Sequence, residues 1–256
     1  MDKSSSIDKA IQILTLLRCA PYSANLTLIA TKIGMTKPGA LKTLRILEEN
    51  AFIRKDANTK QYSLGPALLR LGNVYREQKG ITDIAHPILR HLTSSTLASA
   101  YITIWDKDEA FLLLLEESPK GPCYALKGDA VFGDSIPIHT GASAKLLAAH
   151  QDPALVNAIL DTKGLERKGS RTIVDREKLF HEYAVIRELG YALSEDEYEE
   201  GLIALSVPIP EADGAIRWAL SISGYKTWLK REELLDHLPL LKNGAKQIAL
   251  KFGFRL

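Results

Sequence analysis

Apolar positions in the first fifty residues recur with a helical period. Ile7, Ala10, Ile11, Leu14 and Leu17 fall on one side of a helix, with Ser6 as the expected N-cap and Pro21 beyond the end. A second, short helix is expected over residues 26–33, closed by Gly34, which can take the left-handed C-cap conformation. Thr36-Lys37-Pro38 opens a third helix, with threonine as N-cap and proline in the first turn. Ala40, Leu44 and Leu47 form its core side, and Lys42 and Arg45 point the other way. Two short strands, 52–55 and 61–64, then flank the polar turn 56–60. Three helices followed by a hairpin predict a winged helix-turn-helix domain over residues 1–64.

A linker helix is expected over residues 65–80, broken at Gly80. Another helix over 81–97 carries Ile84, Ile88 and Leu92 on one side, with a kink expected at Pro87. From residue 100 the period of 2 appears: strands at 100–105 and 110–115 flank the turn 106–109, and a third is expected at 122–127. Helices at 142–150, 154–160 and 175–189 precede a strand at 190–193 and a hairpin, 203–209 with 215–223, turning at Asp213-Gly214. A last helix aligns Leu234, Leu238, Leu241, Ala245 and Ile248, with Pro239 near a kink. This order predicts an α+β fold over residues 81–256. Alternation also predicts two unlike sheet faces in the hairpin. Ile203, Leu205, Val207, Ile209, Ile216, Trp218, Leu220 and Ile222 are bulky, whereas Ala204, Ser206, Ala219, Ser221 and Ser223 are small and weakly polar. The small face suits either a compact polar ligand or a covering helix.

The net charge of +2 conceals a division. Residues 1–80 hold 13 Lys+Arg and 6 Asp+Glu, a balance of +7; the remainder hold 20 and 25, a balance of −5. A basic head and an acidic body fit a head that meets a polyanion. Lys42 and Arg45, with Arg54, Lys55 and Lys60 around the hairpin, are placed for phosphate or groove contacts. A solvated basic face or a protein-interaction module is the alternative. No run of eighteen apolar residues occurs and the N-terminus has no signal-peptide core, so a cytoplasmic protein without a membrane partner is expected. Cys19 and Cys123 lie far apart, outside any CxxC pair, and give neither a disulfide framework nor zinc-finger spacing.

The stretch Ile136-Pro137-Ile138-His139-Thr140-Gly141-Ala142-Ser143-Ala144-Lys145 starts a helix among tiny residues. Its unpaired backbone N–H groups and helix dipole could receive a carboxylate. The spacing is not that of a P-loop.

Several segments together resemble the IclR family of bacterial transcription regulators. They are Leu26-Thr27-Leu28-Ile29-Ala30, Ile33-Gly34-Met35-Thr36-Lys37, Leu44-Arg45-Ile46-Leu47-Glu48, the run from Tyr62 through Gly65-Pro66 to Gly72, and the 136–145 stretch. The resemblance implies a DNA-binding head joined by a linker helix to a GAF-like effector-binding domain. It also implies a homodimer or tetramer on double-stranded operator DNA, most often as a repressor of a catabolic operon, with a small carboxylic acid as effector and no cofactor. It places Gly141 and Ala142 at the effector's carboxylate through backbone N–H groups, Ser221 and Ser223 in contact with effector, and Ser194, Leu202 and Ala204 on the same wall. Two regions depart from the pattern. Pro38-Gly39 stands where relatives carry a Ser-Thr pair, so base readout falls to Thr36, Lys37, Lys42, Thr43 and Arg45. Ser194 and Ala204 replace an acid and a cysteine found in some relatives, giving a smaller and less acidic wall.

The same residues admit other chemistries. His139 reads as a structural hydrogen-bonding residue at a helix start rather than a metal ligand or base. The acidic run 195–200 reads as a solvated loop rather than a cation site. A hydrolase built on Ser143 and His139 lacks the second glycine of a nucleophile elbow. A redox or metal sensor built on Cys123, His139 and the acidic run lacks a cation adjacent to Cys123 in sequence. The expectation is a regulator and not an enzyme.

Overall fold

The computed structural model describes residues 5–18, 21–78, 80–121 and 135–252. The chain divides into two units, Met1–Lys79 and Gly80–Leu256. Cys19, Cys123 and the strand expected at 122–127 lie outside the described residues.

The first unit runs α1 (Ser6–Arg18), α2 (Leu26–Ile33), α3 (Lys37–Glu49), β1 (Ile53–Lys55), β2 (Tyr62–Leu64) and α4 (Pro66–Gln78). Helix α1 is capped one residue earlier than the sequence suggests. The Ser5 N–H donates to the Asp8 carboxylate at 2.7 Å, and the Asp8 N–H donates to the Ser5 hydroxyl at 3.1 Å. Its core side also differs: Ile13 and Leu17 are buried, while Ile7 and Ile11 are 72% and 56% exposed. The helix is apolar around much of its circumference, so periodicity could not select the side that the i, i+4 pair Ile13 and Leu17 takes. Those two join Ala24, Ile29, Leu44, Leu47, Ile53 and Tyr62 in one small core. The antiparallel hairpin pairs Lys55 with Tyr62, and Tyr62 exchanges both backbone bonds with Ala24 at 2.9 and 2.8 Å. The hairpin is thereby fixed to the segment leading into α2.

The second unit is an α+β fold. It contains α5 (Ile81–Thr96), β3 (Ser99–Asp106), β4 (Glu109–Glu116), β5 (Ser135–Ile136), α6 (Ala142–Ala149), α7 (Pro153–Lys163), α8 (Arg176–Leu189), β6 (Ala192–Glu195), β7 (Leu202–Pro210), β8 (Ile216–Tyr225), α9 (Arg231–Asp236) and α10 (Leu238–Lys251). The strands form one sheet in the order β5-β4-β3-β8-β7-β6, with every neighbouring pair antiparallel. The expected single C-terminal helix is two, because the chain breaks at His237 before Pro239 enters the first turn of α10.

The bulky face of the sheet packs on α5 and α10 around Ile102, Leu205, Leu220, Ile222, Leu241 and Ile248. Each such side chain contributes about 1.5–3 kcal/mol by leaving water. The other face packs on α6, all eight residues of which are buried. Ala204 and Ala219 belong to that second core together with Trp105, Leu146, Leu147 and Tyr183. The small residues of β7 and β8 therefore admit a covering helix. They also leave Ser206, Ser221 and Ser223 beneath it, each no more than 2% exposed.

Candidate functional site

In the first unit, the candidate contacts sit on α3 and the hairpin. Asn25 caps α2 by accepting from the Leu28 N–H at 2.9 Å, and Gly34 ends it at φ 64° with its N–H on the last carbonyls. Two residues later Thr36 caps α3, its hydroxyl accepting from the Gly39 N–H at 3.3 Å. The Thr43 hydroxyl donates to the Gly39 carbonyl at 3.3 Å and is half-buried. Thr36 and Thr43 are thus engaged in building the helix. Lys37, Lys42 and Arg45 are exposed, and among the described residues their side chains make no hydrogen bond or ion pair. Lys42 and Arg45 occupy the side of α3 opposite buried Ala40, Leu44 and Leu47, and Lys37 projects from its first turn.

On the hairpin, Arg54, Lys55 and Lys60 are exposed. The Lys55 ammonium lies 5.2 Å from the centre of the Tyr62 ring, and Lys60, at φ 58°, donates to the Ala57 carbonyl at 2.5 Å. Asp56 shapes the turn by accepting from the Thr59 and Asn58 N–H groups at 2.7 and 2.9 Å. Those bonds, Thr59 first, hold its carboxyl below the usual carboxylate range.

In the second unit, the candidate effector residues converge on the covered face of the sheet. Strand register aligns Ser194 on β6 with Ala204 on β7, Ser223 on β8 and Ser99 on β3. The adjacent row is Ala192, Ser206, Ser221 and Tyr101. The Ser206 and Ser221 hydroxyls are 2.5 Å apart, and the Ser99 hydroxyl accepts from the Ser118 N–H at 3.0 Å. Leu202 lies at the start of β7, two residues before Ala204, and is buried. Thr103, one row further along β3, is fully buried, and its hydroxyl has no partner among the described residues.

Gly141 and Ala142 begin α6. Gly141 is the N-cap at φ 69° and ψ 163°, and no side chain among the described residues caps the helix. A glycine supplies that backbone conformation without strain. A Cβ there would stand 4.0 Å from the Cβ of Tyr198, so the acidic run lies close over the helix start. His139, just before it, is buried, and its Nε2–H donates to the Glu166 carbonyl at 2.9 Å. Burial lowers the His139 pKa below the ordinary histidine value, with the Glu166 carbonyl opposing. A neutral, hydrogen-bonded histidine fits a structural role, and no cluster of three metal-ligating side chains occurs among the described residues.

The acidic run corrects an expectation. Read as a solvated loop, it is instead folded in and paired. Asp196 and Glu197 are 4% and 8% exposed. Glu195 meets Arg171 at 2.9 Å, Lys226 at 3.3 Å and Arg231 at 3.6 Å, and Asp196 pairs with Lys226 while accepting from the Gly201 N–H at 2.7 Å. Burial pulls the Asp196 carboxyl upward, but Lys226 and the Gly201 N–H outweigh it and the net shift is down. Gly169 permits the close approach of this run, since a Cβ there would come within 2.2 Å of the Asp196 carbonyl oxygen.

At the centre stands Lys145, fully buried on α6. Its ammonium donates to Glu182 on α8 at 2.8 Å, to the Leu193 carbonyl on β6 at 3.1 Å and to Glu197 Oε1 at 2.7 Å. All three protons are used. The second oxygen, Glu197 Oε2, is buried with no partner among the described residues. Burial pushes the Glu197 carboxyl above its ordinary range; Lys145 opposes this, Glu182 adds to it, and the neighbouring Ser194 hydroxyl opposes it least. In the sequence Lys145 stands out only as the end of a motif, and Glu197 only as one acid in a run of them. The available cue is the lysine itself, since an apolar helix that buries a cation must bring an acid to it.

Comparison with known proteins places this arrangement. A family model described as the C-terminal part of the bacterial transcriptional regulator IclR matches residues 74–250. The HTH-type transcriptional repressor AllR of Escherichia coli strain K12 is 24% identical over 253 residues, spanning 98% of this chain and 92% of AllR. The crystal structure of the Thermotoga maritima IclR superimposes with a TM-score of 0.72 at 26% identity, covering 97% of this chain and 99% of that one. The inducer-binding domain of the Acinetobacter transcription factor PobR, a double mutant in complex with 3-hydroxybenzoic acid, matches at 25% identity with a TM-score of 0.58, covering 66% of this chain and 96% of its own. No helix of the described residues is long and apolar enough to cross a membrane. With the matched region exceeding half its length, the chain belongs to the IclR family of bacterial transcriptional regulators.

Proposed function

We propose that this regulator is a cytoplasmic repressor whose grip on operator DNA is released by a small carboxylic acid. Residues 1–64 act as a winged helix-turn-helix, residues 65–80 as a linker helix and residues 81–256 as a GAF-like sensor, in a homodimer or tetramer. The observation that carries this reading is the unpaired cationic surface of α3, where Lys42 and Arg45 face away from a fully apolar core side and Lys37 stands exposed at the first turn. Arg54, Lys55 and Lys60 extend that surface along the hairpin as the wing. Thr36 and Thr43 support it indirectly, by fixing the first turns of α3.

The sensor's acid lies at the uncapped start of α6, where the N–H groups at Gly141 and Ala142 meet the carboxylate. Ser221, Ser223 and Ser194 supply hydroxyls, and Leu202 and Ala204 complete the wall. The bound 3-hydroxybenzoic acid of the PobR domain agrees in chemical class.

Gel retardation of DNA from the gene's own upstream region, across a salt series, tests the first half. Binding is expected to weaken steeply as salt rises, because phosphate contacts release counterions. Lys42→Ala with Arg45→Ala should weaken retardation by about a hundredfold and flatten the salt slope by about one unit for each cation withdrawn from a phosphate. Unchanged retardation refutes the reading of α3.

A further inference from the structure

Glu197 Oε2 is a buried acceptor that no donor among the described residues satisfies. Its carboxylate is one of the few charged groups that the second unit buries, at 8% exposure; Oε1 takes Lys145, the Ser194 hydroxyl neighbours the carboxylate, and Oε2 meets no donor within hydrogen-bonding geometry among the described residues. A buried acceptor without a donor costs about 1–3 kcal/mol, and more when it is charged. Folds rarely leave such an atom idle unless something else fills the place. Three features of its position bear on what does. Glu197 lies beside Ser194, at the β6 end of the row Ser194, Ala204, Ser223 and Ser99. The next residue, Tyr198, stands over Gly141, the N-cap of α6. Lys145 already offsets the Glu197 charge, so a second anion can approach without meeting a bare carboxylate.

From these we infer that Glu197 Oε2 is a specificity-determining acceptor of the effector site, and that the effector is a carboxylic acid that also carries a hydrogen-bond donor. This rests on the carboxylate reading of the α6 start given above. The effector is two-ended: its carboxylate takes the N–H groups at the helix start, and its hydroxyl, amide or amine donates to Glu197 Oε2. Unsubstituted acids fill the first place and leave the second to water. A site built to accept a donor discriminates strongly against the analogue that lacks it, because the buried oxygen is then stranded. The small, uncharged wall of Ser194 and Ala204 provides room but no acceptor of comparable strength.

Isothermal titration calorimetry on the full-length protein tests this with matched acids: acetate against glycolate, propionate against 3-hydroxypropionate, and benzoate against 3- and 4-hydroxybenzoate. In at least one set the hydroxylated acid is expected to bind tenfold or more tighter. Glu197→Gln should reduce that ratio to threefold or less, because an amide nitrogen can take the place of the free oxygen. Glu182→Gln, which alters the same lysine from a one-third exposed position, should leave the ratio in place. Hydroxylated acids within threefold of their partners throughout overturn the inference, as does a ratio that survives Glu197→Gln. The wild-type ratios stand even if that variant folds poorly. If no acid of the panel binds at all, the carboxylate reading of the α6 start fails first, and this inference falls with it.

Discussion

The two units handle positive charge in opposite ways. On α3, Lys37, Lys42 and Arg45 stand in solvent with no side-chain partner among the described residues. On α6, Lys145 is fully buried and gives all three of its protons to fixed acceptors. An exposed, uncommitted cation is available to a partner that comes and goes. A buried one belongs to the fold, because its desolvation is offset only by bonds that must persist. Both kinds of lysine look alike in a string of residues, and only their neighbours separate them.

That contrast breaks most sharply at Lys145. Lys145→Ala should destabilise the second unit by about 3–5 kcal/mol, since Glu197 would be left buried and uncompensated. Circular dichroism melts of the variant should show this as a clear fall in Tm. An unchanged melt would mean that the cluster is solvated after all. Lys42→Ala and Arg45→Ala, by comparison, should each move stability by no more than about 0.5 kcal/mol while impairing DNA retardation, because both side chains are exposed and make no hydrogen bond or ion pair among the described residues.

A smaller effect follows from pH. The Asp196 carboxyl is held below its ordinary range in the folded chain by Lys226 and the Gly201 N–H, against the upward pull of burial. The stability it contributes is complete above the ordinary carboxylate pKa and is lost as pH falls through its lowered value. Urea midpoints should therefore decline on acidification, and Lys226→Met should make that decline shallower. Glu197 runs the other way: its raised pKa means that its contribution is complete below the ordinary value and is lost as pH rises through the raised one. A modest effect is expected at the head of α3. Thr36→Ala removes a cap worth about 1 kcal/mol, measurable as a lower urea midpoint for the first unit.

Local rules made much of the fold legible. Gly34, Thr36 and Pro38 mark the α2–α3 turn where the chain places it, because caps depend on residues three or four apart. The two faces of β7 and β8 likewise follow from a period of 2. What could not be read depends on distant partners. The acidic run reads as solvated because the lysine that neutralises Glu197 is 52 residues away. The side of α1 that faces the core is chosen by Ala24, Ile29 and Leu44, so by periodicity Ile7 and Ile11 are as eligible as Ile13. The two-residue strand β5 is too short for any periodicity to reveal. The serine hydroxyls of the sheet could be assigned to a face, but the closeness of Ser206 and Ser221 depends on strand register.

The three bonds of Lys145 reach two carboxylates and one strand carbonyl, carried by α8, β6 and the segment that follows it. Acting together they form a rivet through three layers. Sliding α6 along its own axis would shear all three at once, so the helix is not free to creep toward a ligand by itself. A molecule seated at its first turn must either be received by a frame that is already set or shift α6, α8 and β6 as one block. Whatever message the sensor sends is then carried by that block, and its size is fixed by how far the whole assembly tilts.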